Sequence, residues 1–321
     1  MDPHRCCVCG KLILEPERRR IGPRLFCAQH HQRALDAAKA RLSRSGIVEV
    51  ILMVLFVWLA AWMMGDAALL RGRMLLGWSV FWALVPAVIW LVHIHRQDRI
   101  EPEPWPLVAG VFVIGALTAH AFVEVLPERL FHLSQWQHRS ELDAWIAAVG
   151  ITGLLQQWFT YLSVRYTVYL TDEFDEPNDG IVYAAAAGLG MATVHNIHFI
   201  IDSGGRLPLA GVVALASTTL IHVAAAAVLG YGLGRSRFAP AHGARWSAAM
   251  LLLSTVLNGG LKRLAVVAGI DGGHFRPWLS LSVAALLAML TLMLIDMSMA
   301  RLCRENFDLD ADGDAASAVP A

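Results

Sequence analysis

The feature that most constrains this sequence is a series of apolar stretches, each about as long as a membrane is thick. A helix needs roughly 20 mostly apolar residues to cross the ~30 Å hydrocarbon layer of a bilayer. Eight stretches meet this length, and short loops separate them. The sequence therefore predicts an all-α membrane protein, a polytopic bundle of about eight transmembrane helices. The predicted spans are Ile47–Gly65, Met74–His95, Trp105–Leu126, Ala144–Leu170, Gly180–Ile201, Pro208–Gly234, Arg245–Ala268 and Trp278–Ala300.

Composition and charge support this interpretation and exclude one class of function. Hydrophobic residues make up 56% of the chain and charged residues only 16%. The formal net charge is zero, so no basic excess is available to neutralise the phosphates of a nucleic acid. Basic residues concentrate before the first span and in later loops on the same side, whereas the opposite side has fewer, among them Lys262 and Arg263. Because basic residues stay cytoplasmic, we expect a multi-pass protein of the plasma (inner) membrane with both termini in the cytoplasm.

A compact set of cysteines and histidines precedes the first span. Cys6, Cys9, Cys27 and His30 follow the pattern C-x2-C-x17-C-x2-H, which is typical of structural zinc sites. We expect Arg24–Phe26, just before the third ligand, to form a short strand. A closed four-ligand site leaves no position for water, so this zinc would be structural and not catalytic. The alternative is a disordered basic arm whose thiols are incidental.

The sequence accordingly divides into three regions. Residues 1–46 form a zinc-binding module and a helical stalk, residues 47–304 form the transmembrane domain, and residues 305–321 form an acidic tail. The tail carries too little apolar surface to offset the entropy of ordering, so we expect it to be disordered. Small residues are dense in the fifth and sixth predicted spans, which lets helix backbones approach closely in lipid. These two helices should form the tight centre of the bundle.

Ionisable side chains inside the predicted spans are candidates for function, because they are costly to place in a bilayer. His120 and Glu124 are four residues apart and His195 and His198 three apart, so each pair shares a helix face. Together with His222, these residues could surround a second metal ion or a proton path. The alternative is that they form hydrogen bonds between helices and fix the packing.

Five short motifs follow one another between residues 98 and 234, within a region from Asp98 onward that makes up about two-thirds of the chain. On these motifs the chain resembles the PrsW family of intramembrane proteases, which is related to the CAAX-processing enzymes. The resemblance implies a helical membrane domain and a membrane-anchored protein as substrate or partner. The motifs are Asp98–Pro104, Phe174–Pro177, Asp179–Tyr183, Gly188–Met191, and His222 ahead of Gly230–Gly234.

The positions that the resemblance marks as hydrolytic are substituted. Gln156, Gln157 and Thr160 stand where the family has its E-E-x-x-K motif. His195-Asn196 stands where it has a Glu-Asn pair, so the glutamate is replaced, and His222 keeps the family's residue type. A glutamine can hydrogen-bond a water molecule but cannot accept its proton.

These substitutions favour a catalytically silent homologue that acts as a scaffold, a sensor or a partner-binding protein. The alternative is an active, diverged metallo-peptidase that uses His195 and His222, with or without His120 and Glu124, around a metal-bound water. A transporter or channel is disfavoured, because the sequence lacks evident inverted repeats.

Overall fold

A bundle of long helices makes up most of the structure, which is a computed structural model. It describes residues 12–13, 19–21, 24–65, 70–97, 103–238, 243–271 and 274–275, and isolated positions between 279 and 293. Two short hairpins accompany the helices, and two π-helical segments interrupt them. The elements are β1 (Arg19–Ile21), β2 (Arg24–Phe26), α1 (Ala28–Gly65), α2 (Gly72–Gln97), α3 (Trp105–Thr118), π1 (Ala119–Val123), α4 (Leu126–Phe131), α5 (Leu133–Trp136), α6 (Glu141–Trp145), π2 (Ile146–Gly153), α7 (Leu154–Thr167), α8 (Asp179–Asp202), α9 (Leu209–Phe238), α10 (Gly243–Gly269), β3 (Ile270–Asp271) and β4 (His274–Phe275).

Six helices among the described residues are long and apolar enough to cross a membrane, and they coincide with six of the eight predicted spans. The predicted fourth span, Ala144–Leu170, is helical from α6 to α7, but Gln156 and Gln157 dilute its apolar residues and it is not one of the six. The predicted eighth span, Trp278–Ala300, lies largely outside the described residues. The six are Val48–Gly65, Gly72–Gln97, Trp105–Phe131, Asp179–Asp202, Leu209–Phe238 and Gly243–Val267.

Helices α8 and α9 form the centre of the bundle, which confirms the expectation drawn from their small residues. Their most apolar windows are 67% and 89% buried, against 22–33% for the other four candidate spans. The two backbones touch where Gly180 faces Gly230. A Cβ added to Gly180 would lie 2.3 Å from the Gly230 carbonyl oxygen, so a larger residue cannot be accommodated there.

The N-terminal region contains the short strand that the sequence predicts. β2 pairs with β1 in antiparallel register, with Arg19 opposite Phe26 and Ile21 opposite Arg24. α1 begins directly afterwards and continues into the first candidate span, so the predicted stalk helix and the first span are one helix. Cys6, Cys9 and the predicted acidic tail lie outside the described residues.

Candidate functional site

A π-helical segment precedes the first group of site residues. In π1 the Glu124 backbone N–H donates to the Ala119 carbonyl oxygen, five residues back, at 3.1 Å. Such a segment widens the helix by one residue per turn, changes the direction of the side chains that follow, and is frequent at functional sites. The backbones of α3 and α8 also lie very close together. A Cβ added to Gly190 would lie 2.1 Å from the Phe112 carbonyl oxygen. Both features place Glu124 against α8.

Glu124 lies between two histidines of α8. Its Oε1 is 3.2 Å from Nδ1 of His195, and its Oε2 is 3.6 Å from Nδ1 of His198. The ring of His120 contacts the ring of His198 with a centroid separation of 5.6 Å. The side chains of Glu124, His195 and His198 are 22%, 40% and 35% exposed. We call Glu124, His195 and His198 the carboxylate cluster; it joins three of the residues proposed from helix spacing.

A second group of polar residues lies deeper in the bundle. The Lys262 ammonium on α10 donates to Oε1 of Gln156 at 2.9 Å, and its Nζ lies 3.4 Å from Nε2 of His222. Nδ1 of His222 donates to the Thr218 carbonyl oxygen at 2.8 Å, so Nε2 carries the lone pair that faces the ammonium. Gln156 and His222 are 2% and 1% exposed. We call Gln156, His222 and Lys262 the lysine cluster.

Local geometry explains why Lys262 reaches this position. π2 ends just before Gln156, and α10 packs on it where Gly259 meets Ala148. A Cβ at Gly259 would lie 2.2 Å from the Ala148 carbonyl oxygen, so only glycine permits this approach. The neighbouring Arg263 points elsewhere and pairs with Glu141 at 2.6 Å. Lys262, three residues after the contact, is therefore the cation directed at Gln156.

The remaining residues proposed from the family motifs are buried around the two clusters. Thr160 donates to the Gln156 carbonyl oxygen at 2.9 Å and contacts Met191. Asn196 donates to the Leu215 carbonyl oxygen and to Thr219. Gln157 is 1% exposed, and its Oε1 has no hydrogen-bond partner among the described residues. The predicted set thus converges in the bundle interior, with amides where carboxylates were expected.

The two clusters adjoin each other. The rings of His195 and His222 have centroids 6.4 Å apart, and the charges of Glu124 and Lys262 attract each other. The carboxylate cluster can hydrogen-bond or accept a proton, whereas the lysine cluster presents a lysine with an amide and an imidazole. The site therefore combines an accessible half and a closed half.

The residues in this arrangement do not fit a divalent metal ion. Both oxygens of Glu124 already face imidazole nitrogens, and Nε2 of His222 faces an ammonium group. Within the described ranges, no three His, Cys, Asp or Glu side chains are grouped so that they could hold a metal. The second metal that the sequence suggested is therefore not supported by the donor geometry.

Sequence reasoning missed Lys262 as a site residue. We counted it among the loop charges of one membrane face, but it lies well inside α10. The signal was present, because a lysine inside an otherwise apolar helix is a functional candidate by default. Asn258, one turn earlier, is fully buried, and neither side-chain polar atom has a hydrogen-bond partner in the described structure.

Two of the family-like motifs meet at the starts of α3 and α8. The Tyr183 hydroxyl donates to Oε2 of Glu103, which also lies beside Asp179. Glu103 is 5% exposed, and this burial raises the pKa of its carboxyl above the ordinary value, with Asp175 and Glu173 adding to the effect. The contact fixes the start of α3, the first part of the Trp105–Phe131 span that carries Glu124. Residues 98–102 of the same motif lie outside the described residues.

Half of the predicted zinc site is described. Sγ of Cys27 lies 3.2 Å from Nδ1 of His30, one helical turn into α1. Two ligands of one tetrahedral zinc ion are separated by about 3.5 Å, given the usual Zn–S and Zn–N distances. The observed 3.2 Å is a hydrogen-bond contact and is slightly shorter than that spacing.

Comparisons with known proteins agree with the resemblance found in the motifs. Residues 103–295 match the family described as PrsW family intramembrane metalloprotease. The chain is 28% identical over 176 residues to Protease PrsW of Geobacillus kaustophilus, covering 55% of this chain and 74% of the relative. It is 27% identical over 177 residues to Protease PrsW of Bacillus subtilis, covering 55% and 77%.

A third relative, Protease PrsW of Oceanobacillus iheyensis, is 29% identical over 155 residues, which cover 48% of this chain and 67% of that protein. No solved structure matches the chain. The family match spans more than half of the chain and includes both clusters. The chain therefore belongs to the PrsW family of intramembrane metalloproteases.

Proposed function

We propose that this chain is a catalytically silent member of the family that holds a membrane-anchored protein without cleaving it. The observation that carries the proposal is the environment of Gln156, a buried amide whose carbonyl oxygen is bound by the Lys262 ammonium. A carboxylate at this position could accept a proton from water, whereas an amide with its oxygen already engaged cannot. Gln157 beside it is also an amide and cannot accept a proton either.

The accessible half of the site supports retained binding. Phe122, two residues before Glu124, is 44% exposed and stacks on Phe159 with ring centroids 5.1 Å apart. His195 and His198 are also partly exposed. An apolar shelf beside hydrogen-bonding groups suits a transmembrane helix that carries a polar residue. A scaffold or sensor in regulated proteolysis would use such a surface.

The test combines capture and cleavage in one reconstituted sample. A photo-crosslinking amino acid replaces Phe122, and the protein is mixed with a membrane-anchored polypeptide that Protease PrsW of Bacillus subtilis cleaves. We expect crosslinked, uncut polypeptide. A crosslinker at Leu76, an exposed residue near the start of α2, is the matched control and should capture less. Equal capture at both positions contradicts the binding, and cut product contradicts the silence.

The second candidate is the active, diverged metallo-peptidase. Glu124 favours it, because a carboxylate held between two imidazoles is suited to accept a proton from water. Its metal would require Lys262 to move away from His222. Cleavage that is lost in both Glu124→Gln and His222→Ala would establish this candidate.

We also propose that Cys6, Cys9, Cys27 and His30 bind one structural zinc ion that stabilises the N-terminal region as a recruiting or sensing module. The adjacent Cys27 and His30 side chains and the hairpin before them support it. The basic residues ahead of the first span favour a cytoplasmic position. Zinc analysis of the whole protein should give one ion per chain, lost in Cys9→Ser and in Cys27→Ser but kept in His195→Ala.

A further inference from the structure

We infer that the Lys262 ammonium is a built-in replacement for a metal cation, so that the membrane site of this chain binds no divalent metal. The inference concerns metal binding and stands apart from catalytic silence, because a protein can lack a membrane metal and still cleave, or bind one and not cleave. It rests on the position of the Lys262 side chain between Gln156 and His222.

The first step is the identity of the atoms that Lys262 contacts. Oε1 of Gln156 and Nε2 of His222 are an oxygen and an imidazole nitrogen, the donor types that divalent ions use in proteins. The ammonium donates to the oxygen at 2.9 Å and lies 3.4 Å from the nitrogen. Both atoms are therefore already facing a cation that the chain supplies.

The second step is the orientation of His222. A metal-binding histidine usually donates its other ring N–H to a carbonyl or carboxylate, which aims the free nitrogen at the ion. His222 has this arrangement, with Nδ1 donating to the Thr218 carbonyl oxygen at 2.8 Å. The ring is thus oriented as a ligand would be, but it is aimed at Lys262.

The third step is charge. Gln156 and Gln157 are neutral, so the described residues around His222 offer little negative charge to a divalent ion. Glu124 attracts Lys262 and is itself held by His195 and His198. One carboxylate and one ammonium balance each other, and a divalent ion added beside the ammonium would be repelled.

The experiment measures Co²⁺ binding by absorption spectroscopy on the full-length protein in detergent. Every sample carries Cys27→Ser and His30→Ala, which remove the N-terminal site. We expect no bound Co²⁺ in this background protein and about one Co²⁺ per chain after Lys262→Asp with Gln156→Glu, since both changes supply carboxylate ligands. Adding His222→Ala to that variant should abolish the binding. Arg263→Met, which removes the neighbouring cation, should gain no metal.

Two results overturn the inference. One is stoichiometric Co²⁺ in the background protein that disappears with His222→Ala. The other is a Lys262→Asp, Gln156→Glu variant that elutes and unfolds like the background protein yet binds no Co²⁺. If that variant does not fold, Lys262→Gln replaces it, with at least a tenfold gain in Co²⁺ affinity expected and an unchanged affinity contradictory. Cleavage of a membrane-anchored polypeptide by the wild type would overturn the proposed function and leave the metal result standing.

Discussion

The carboxylate cluster and the lysine cluster adjoin each other but differ in composition and burial. Glu124, His195 and His198 keep ionisable groups and are 22–40% exposed, whereas Gln156 and His222 are almost fully buried and face an ammonium. The exposed half has groups that can bind or accept a proton, and the buried half has amides where the family motif has carboxylates. Under the proposed function, the difference means that a protease scaffold has lost its chemistry in the buried half while its accessible half stays polar.

The largest expected effect comes from separating the helices that build the lysine cluster. Gly259→Ala places a methyl group 2.2 Å from the Ala148 carbonyl oxygen, which should cost about 2–3 kcal/mol because backbone must move. Gly260→Ala is the matched control, since its Cβ meets only the Trp145 ring at 3.9 Å. Thermal unfolding in detergent, followed by tryptophan fluorescence, should show a lower melting temperature for the first variant alone. Equal effects would contradict the close approach of α10.

The next largest effect is expected for the hydrogen bond between Lys262 and Gln156. A double-mutant cycle of Lys262→Met with Gln156→Leu should give a coupling of about 1–2 kcal/mol, because the bond is partly buried and its acceptor Gln156 is 2% exposed. The same cycle on Arg263→Met with Glu141→Gln should give about 0–1 kcal/mol, since Glu141 is exposed and its charge is screened. A lysine pair that couples no more strongly than this surface pair would show that the cluster is not formed.

A smaller effect concerns pH and the anchoring of α3. Burial raises the pKa of Glu103 in the folded protein, so the folded state holds this proton more tightly than the unfolded state. Its stabilising contribution is complete below the ordinary carboxyl pKa and is lost as pH rises through the raised value. We expect the melting temperature to fall over that interval. Glu103→Gln, which stays neutral, should reduce this dependence, and Glu141→Gln should leave it unchanged.

The smallest effect is expected in the carboxylate cluster. Glu124→Gln removes a charge that faces two partly exposed imidazoles, so the loss of stability should be about 0–1 kcal/mol. Thermal unfolding in detergent measures this loss, which should be smaller than the coupling energy between Lys262 and Gln156. If Glu124→Gln destabilised the protein more than Lys262→Met, the carboxylate cluster and not the lysine cluster would be the structural centre of the site.

Much of the fold could be predicted from the sequence, because apolar length and small residues determine how helices cross a membrane and pack. Six spans, the tight pair α8 and α9, and the strand before Cys27 follow from these local patterns. The two π segments could not be predicted, because a single inserted residue leaves no mark in an apolar stretch. They alter which side chains face inward just before Glu124 and Gln156.

Five of the six residues in the two clusters were proposed from the sequence, but Lys262 and its pairing with Gln156 were not. Helix spacing and the family motifs identified Glu124, His195, His198, Gln156 and His222. The decisive contact, Lys262 with Gln156, joins residues 106 positions apart in sequence, and it depends on how closely α10 approaches π2. A charge near the end of an apolar run looks like a loop residue until that packing is known.

The most direct test of the central claim is a cleavage assay that compares the wild type with His222→Ala. Both proteins are reconstituted with a membrane-anchored polypeptide that a PrsW relative cleaves, and the cut product is measured over time. We predict the same background level of cut product for both proteins, because Gln156 and Gln157 cannot accept a proton and Lys262 faces His222. Product that forms with the wild type and disappears with His222→Ala would contradict it.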